Sequence, residues 1–275
     1  MRVLTPNSLA EALDLMAGSP TPLPVAGGTD LLVSWHHKPK TDMTLLDLSR
    51  LNGPLRQLTL TPAFLEIGAL ATYWDVLCAP EVCAAFPLLA DAARQVGAIQ
   101  IQMRGTWAGN IANSSPAADG VPVLMAYNAI VVLQSKSGRR EVALDAYWTG
   151  YKQTVKKPNE LIVSMRLPIR KRSVEWFEKV GARSAQTITK VGAAVVHDEK
   201  GWRVVANSVA PFVCRCRQLE SALARGQKFA NPDEVRAVIR QDIKPIDDMR
   251  SNAVYREAVL SRLLYYRLAA KPPIQ

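Results

Sequence analysis

The 275-residue chain has little of what a hydrolase, a metal centre or a membrane protein needs. It has only four cysteines, Cys78, Cys83, Cys214 and Cys216, and neither pair has the Cys-x-x-Cys spacing of zinc or iron–sulfur ligands. Reduced thiols are expected, as in a reducing compartment. There is no Gly-x-Ser-x-Gly elbow, no Walker loop and no His-Glu-x-x-His helix, so the chemistry those motifs support is not expected. The longest apolar stretch, 121–133, is too short for a bilayer and contains Pro122 and Asn128. Glu11 and Asp14 interrupt the first segment before a signal-like run can form, and a cytoplasmic location is expected. Acidic residues are also scarce, 24 against 34 Lys and Arg, leaving a formal charge of +10. That sign would suit nucleic acid. However, the basic residues are scattered, apart from Lys152/Lys156/Lys157 and Arg166/Arg170/Lys171/Arg172, and no aromatics are interleaved to stack bases. A solvated face or a surface for an acidic partner subunit fits better, and no nucleic-acid partner is expected.

Two glycine-containing loops stand out against this background. One reads Val25-Ala26-Gly27-Gly28-Thr29-Asp30-Leu31-Leu32, the other Gly105-Thr106-Trp107-Ala108-Gly109-Asn110-Ile111-Ala112-Asn113. Glycine permits a positive φ and a close backbone approach. Consecutive amides in such a turn form a concavity that suits phosphate oxygens. One Gly-Gly pair is ordinarily just a turn. Two such loops, the second followed by Ser114-Ser115-Pro116-Ala117-Ala118-Asp119, point to a nucleotide diphosphate.

The length suits one large domain or two moderate ones. Ser8-Leu9-Ala10-Glu11 has the form of a capping box and opens a helix that ends at Gly18. Strands are expected at 22–26 and 44–48, giving a β-α-β unit with the first loop at a strand's end, where open α/β sheets place ligands. The Gly-x-Gly-x-x-Gly fingerprint is missing, so a Rossmann fold is not expected. Further on, the pattern gives a strand at 64–70, a helix start at Thr72, a longer helix over 81–96, and a hairpin of 129–134 with 140–144. A strand at 161–167 stops at Pro168, and the basic segment 170–174 is taken as a domain boundary. Strands at 176–181, 188–196 and 202–210 then precede helices at 233–241 and 251–268. The last helix keeps Val254, Ala258, Ser261, Tyr265 and Leu268 near one face, with Arg256, Arg262 and Arg267 pointing elsewhere. His36 and His37, adjacent residues with opposite directions on an extended chain, read as surface or loop positions.

The chain resembles the FAD-binding medium subunits of the molybdenum hydroxylases, the family of xanthine dehydrogenase and aerobic carbon monoxide dehydrogenase. Residues 26–32 match the family's first flavin loop without a gap, and 106–111 with 113–119 match the second. The likeness continues through Pro158-Asn159-Glu160-Leu161-Ile162, Lys179-Val180-Gly181-Ala182-Arg183, Val209-Ala210-Pro211 and Ser251-Asn252-Ala253-Val254-Tyr255-Arg256. The resemblance implies an α+β fold: a two-part FAD-binding domain of the vanillyl-alcohol-oxidase-like (PCMH) type over 1–172, in sub-parts 1–56 and 57–172, and a smaller α+β domain over 173–275. It also implies FAD on this chain, a large partner subunit with a molybdenum cofactor, and a small partner with two 2Fe–2S clusters, in a heterotrimer or a dimer of heterotrimers. Electrons would pass from those clusters to FAD and then to an external acceptor.

By that resemblance, Pro24, Val25, Ala26, Gly27, Gly28, Thr29, Asp30 and Leu31 form the first cofactor loop, and Thr106, Trp107, Ala108, Gly109 and Asn110 the second. Gly27, Gly28, Gly109 and Asn110 would offer N–H groups to the pyrophosphate, with hydroxyls from Thr29 and Thr106. Asp119 would face the sugar side or, alternatively, cap the segment after it. Ile162 and Val96 would lie beside the flavin, and Lys179 would face it. No residue of this chain is assigned a catalytic role and none a metal. Ala108 departs from the family's usual glycine; if that position needs a left-handed backbone, the cofactor would bind less well. Two alternatives stay open, a self-contained flavin oxidase or reductase and a scaffold subunit that has lost FAD.

Overall fold

The short apolar stretches of the first fifty residues pair as a small parallel sheet. The structure, a computed structural model, describes residues 1–35 and 42–269. It opens with β1 (Arg2–Leu4), α1 (Leu9–Met16), β2 (Leu23–Val25) and β3 (Thr44–Asp47), in the sheet order β1-β3-β2. Ser8 starts α1 because its hydroxyl accepts the Glu11 amide at 3.1 Å, and Ala12, Leu13 and Met16 bury one stripe of the helix. The Glu11 carboxylate reaches back to the Asn7 amide at 2.8 Å rather than to Ser8, one residue off the expected capping box.

A second, antiparallel sheet carries a layer of helices. Its elements follow α2 (Asn52–Leu55): β4 (Leu58–Leu60) and β5 (Phe64–Gly68), then the helices α3 (Tyr73–Leu77), α4 (Pro80–Ala85), α5 (Pro87–Gln95), α6 (Ile99–Gln102), α7 (Trp107–Asn113) and α8 (Gly120–Ala126). The chain continues through β6 (Ile130–Ser135), β7 (Gly138–Ala143), the small pair β8 (Trp148–Gly150) and β9 (Gln153–Thr154), and β10 (Leu161–Pro168). The order is β4-β5-β10-β6-β7, with the expected hairpin between β6 and β7. The single helix expected at 81–96 is two helices. Proline disfavours helical backbone in the residue before it, and Phe86 accordingly breaks out at φ −140°, ψ 69° ahead of Pro87.

The C-terminal part is a third sheet, β11 (Arg172–Val180), β12 (Val191–Asp198), β13 (Gly201–Asn207) and β14 (Cys214–Arg215), followed by α9 (Arg217–Ala224), α10 (Pro232–Ile239) and α11 (Ala253–Ala269). Strand alternation decides how it packs. Val191, Ala193 and Val195 of β12 join a core with α9, α10 and α11, while Ala194 and Val196 join the large core beneath α3 to α8. Helix α9 was not foreseen. The inward face of α11 is only partly the expected one: Ser261 is buried and Tyr265 and Leu268 pack on the core as expected, but Arg256, Leu260 and Leu264 are buried with them, and Val254 is 69% exposed. Tertiary partners explain the inward arginine, because the Arg256 guanidinium meets the Ser208 carbonyl and the Asp248 carboxylate.

The three arginines of the basic segment near residue 170 face acidic partners. Arg166 pairs with Glu66 and Glu141, Arg170 lies beside Asp198 and Glu199, and Arg172 pairs with Glu175. All four cysteines are free; burial pushes the Cys214 thiol up to about 12 and the Cys216 thiol well above its ordinary value, so neither is a ready thiolate. Among the described residues, no group of His, Cys, Asp or Glu could hold a metal, and no helix is long and apolar enough to cross a membrane. His36 and His37 lie outside the described residues.

Candidate cofactor site

The first glycine loop leaves β2 at Val25 and turns at Gly28, whose φ of +71° is open to glycine at little cost. Asp30 is exposed and the residues from Pro24 to Thr29 are half-buried. Among the described residues, none accepts a hydrogen bond from the N–H groups of Gly27, Gly28, Thr29 or Asp30. Four successive unclaimed donors at the end of a strand suit an anionic oxygen cluster. Leu32 closes the turn behind them, donating its amide to Gly28 O at 3.0 Å.

The second loop lies directly against the first. A methyl on Gly27 would overlap the Arg104 carbonyl, and one on Gly105 would sit 3.4 Å from the Thr29 hydroxyl. Arg104 Nε donates to Gly27 O at 3.4 Å, and Thr72 bridges to Thr106 on the far side. Only glycine lets the two backbones approach this closely.

Most of the second loop is helix rather than open turn. Thr106 caps α7, its hydroxyl accepting the Gly109 amide at 2.9 Å and its carbonyl accepting the Asn110 amide at 3.0 Å. The amides of Gly109 and Asn110, expected to face a phosphate, are therefore already bonded within the helix. The Trp107 side chain is fully buried against Tyr73, with ring centroids 4.8 Å apart, and Ala108 is buried too. Ala108 lies inside the right-handed helix, not at a left-handed position, so the alanine carries no conformational penalty. Ile162, at the start of β10, shares the core that holds Trp107, Ala108 and Ile111.

Beside α7 the structure brings three more expected residues together. The Asp119 carboxylate receives Lys179 Nζ at 2.6 Å and the Thr189 hydroxyl, and Lys179 also donates to Gln95 O at 2.9 Å, next to Val96. Asp119 precedes α8 without capping it by its side chain. Burial pushes its carboxyl up, with Lys179 and Thr189 opposing. Burial also raises the Tyr73 phenol, and the nearby Asp119 charge adds to that. Lys179 thus arrives with its charge already facing a carboxylate, which pattern reasoning did not foresee. The sequence also gave no local signal for Thr189, Asn207 or Ser208. Asn207 Nδ2 donates to Ala118 O at 2.7 Å and the Ser208 amide to Pro116 O at 2.7 Å, both across from the C-terminal sheet.

A small parallel sheet, a helix-covered antiparallel sheet and two abutting glycine loops define the vanillyl-alcohol-oxidase-like (PCMH) class of α+β flavoproteins. Comparison with known proteins narrows the class. The family described as FAD binding domain in molybdopterin dehydrogenase matches residues 1–170. The carbon monoxide dehydrogenase medium chain of Hydrogenophaga pseudoflava is 30% identical, over 96% of this chain and 94% of its own. The glyceraldehyde dehydrogenase medium chain of Sulfolobus acidocaldarius is also 30% identical, over 94% and 93%. Among solved structures, the Hydrogenophaga pseudoflava carbon monoxide dehydrogenase lacking the Mo-pyranopterin moiety superposes with a TM-score of 0.88 at 29% identity, covering 98% of this chain and 96% of the other. The chain belongs to the FAD-binding medium subunits of the molybdenum hydroxylases, and is an oxidoreductase subunit.

Proposed function

We propose that this chain carries FAD as the electron-transfer subunit of a multi-subunit molybdenum hydroxylase. It takes electrons from 2Fe–2S clusters of a small partner subunit, beside a large partner that holds the molybdenum cofactor, and passes them to an external acceptor. The complex is a heterotrimer or a dimer of heterotrimers, and the free cysteines are in keeping with the cytoplasm. The domain division lies at 172/173, in front of most of β11, with sub-parts at 1–56 and 57–172.

The unclaimed amides of Gly27 to Asp30, held in place by contact with Arg104 and Gly105, carry this reading. These residues fit a diphosphate. The amides of Gly27 and Gly28, with Thr29 and Asp30, hold the phosphates; Pro24, Val25, Ala26 and Leu31 set the loop's entry and exit. Thr106 and Asn110, with Gly109 beside them, present the α7 start. Val96 and Ile162 supply apolar sides, and a free lone pair of Asp119 accepts from a sugar hydroxyl. Bound FAD would supply the electron storage that no side chain here can. The helical backbone at Ala108 removes the feature that favoured a flavin-free scaffold.

Purified wild type is expected to show visible flavin absorption. Gly27→Ala, which drives a methyl into the Arg104 carbonyl, is expected to lose most of it. Gly53→Ala, with nothing within 4 Å of the added carbon, is expected to keep it. A folded but colourless wild-type chain overturns the reading.

A further inference from the structure

Four groups of the C-terminal sheet and its flanks grip one short segment, Pro116 to Asp119, that joins α7 to α8. The Thr189 hydroxyl and Lys179 Nζ hold the two oxygens of Asp119. Asn207 holds Ala118 O, and the Ser208 amide holds Pro116 O. Behind them, Ser208 Oγ donates to Thr189 O at 3.0 Å, and Arg256 Nη1 donates to Ser208 O at 2.5 Å. Thr189, Asn207, Ser208 and Arg256 are all buried. The other end of the segment is tied to the glycine-loop helix, because the Gly120 amide donates to Asn110 Oδ1 at 3.2 Å. A continuous path of hydrogen bonds therefore runs from the C-terminal sheet, through Asp119 and the next residue, to Asn110 on α7.

We infer that Thr189 is a positioning residue for the cofactor site: it fixes Asp119, and through the Gly120–Asn110 bond it sets where α7 stands against the first glycine loop. The inference rests on the FAD reading of that site. Lys179 supplies charge to Asp119 but has a flexible four-carbon stem. The short, buried Thr189 side chain is the stiffer of the two holds, with few rotamers to choose from. Ser208 and Arg256 keep the Thr189 backbone from drifting. The C-terminal part is thereby built into the site although it supplies neither glycine loop.

Thr189→Val keeps the shape and removes the hydroxyl. In the full chain it is expected to raise the FAD dissociation constant about tenfold, the effect of one hydrogen bond to a charged group. The visible spectrum of the remaining bound flavin is expected to shift, and Thr189→Ser is expected to restore both. The Tm of the flavin-free chain should fall by about 2–4 °C as well, because the buried Asp119 carboxylate loses a donor in that state too, so the dissociation constant is the deciding readout. A purely structural Thr189 would lower that Tm and leave the dissociation constant as in wild type, and that result overturns the inference. The Thr189→Val/Asn110→Ala double variant should be no weaker than the worse single, because both break one path; additive losses overturn it too. Should Thr189→Val fail to fold, Ser208→Ala decides the same question by loosening Thr189 from behind. A wild type that binds no FAD takes the underlying reading down first, and is told apart by that.

Discussion

At the scale of single residues, Glu160 shows how one buried charge ties β7 to the loop that precedes β10. Its side chain is only 5% exposed. It accepts Arg140 Nε at 2.6 Å, Arg140 Nη2 at 2.8 Å and the Lys157 amide at 2.7 Å. The Arg140 hydrogen bonds hold its carboxyl below the ordinary 4.5, against burial, with the Lys157 amide helping. A folded-state pKa below the unfolded value contributes stability that is present above the unfolded pKa and lost as pH falls through the folded one. Urea unfolding should therefore show stability falling as pH drops below 4.5. Glu160→Gln is expected to cost about 2 kcal/mol at neutral pH and to flatten that acid limb; an acid limb as steep as the wild type's would show that Glu160 is not its source. Gly28 was legible in the sequence because a turn with positive φ is a local demand, whereas the demand on Gly27 comes from the Arg104 carbonyl, 77 residues away. The partners of Asp119 were not legible, since Lys179 and Thr189 are 60 and 70 residues away and nothing in either segment announces the meeting.

Elements were legible where a cap, a turn or a period-2 pattern encodes them locally. The Thr72 start of α3 is such a case: its hydroxyl accepts the Asp75 amide at 3.1 Å, and Asp75 Oδ2 accepts the Thr72 amide at 2.8 Å. Thr72→Ala removes half of that box and should cost about 1 kcal/mol, seen as a Tm lowered by about 2 °C in a thermal scan. An unchanged Tm would mean that the Arg56–Asp75 ion pair at 2.8 Å holds the turn by itself. The β6–β7 hairpin and the strands β10, β12 and β13 were likewise readable from alternation and turn residues. Pattern reasoning failed where two signals competed. Helical periodicity ran through 81–96, yet Pro87 overrode it at Phe86. The second glycine loop looked like an open turn, but Thr106 caps it into α7 and draws in the amides of Gly109 and Asn110. The polarity of α11 misled for a related reason: a buried arginine is tolerable once a carbonyl and a carboxylate meet it, and those lie outside the helix.

Across the whole molecule, the C-terminal sheet covers the helical layer and is not a separate attachment. Phe177, Ala194, Val196, Val205 and Val213 belong to the same core as Leu89, Trp107 and Leu124. A fragment ending at residue 172 would expose that apolar surface, so it is expected to aggregate or to unfold without cooperativity, while the intact chain unfolds in a single transition. A fragment as stable in urea as the whole chain would contradict this. The sequence by itself determined the α+β class, the strand-end position of the first loop and the family, because glycine, caps and alternation act within a few residues. Only the tertiary structure decided that the two loops touch, that Ala108 is harmless, and that Asp119 answers to Lys179 and Thr189. Those outcomes depend on which distant backbones come within a hydrogen bond of each other, and short-range preferences carry no information about such pairings.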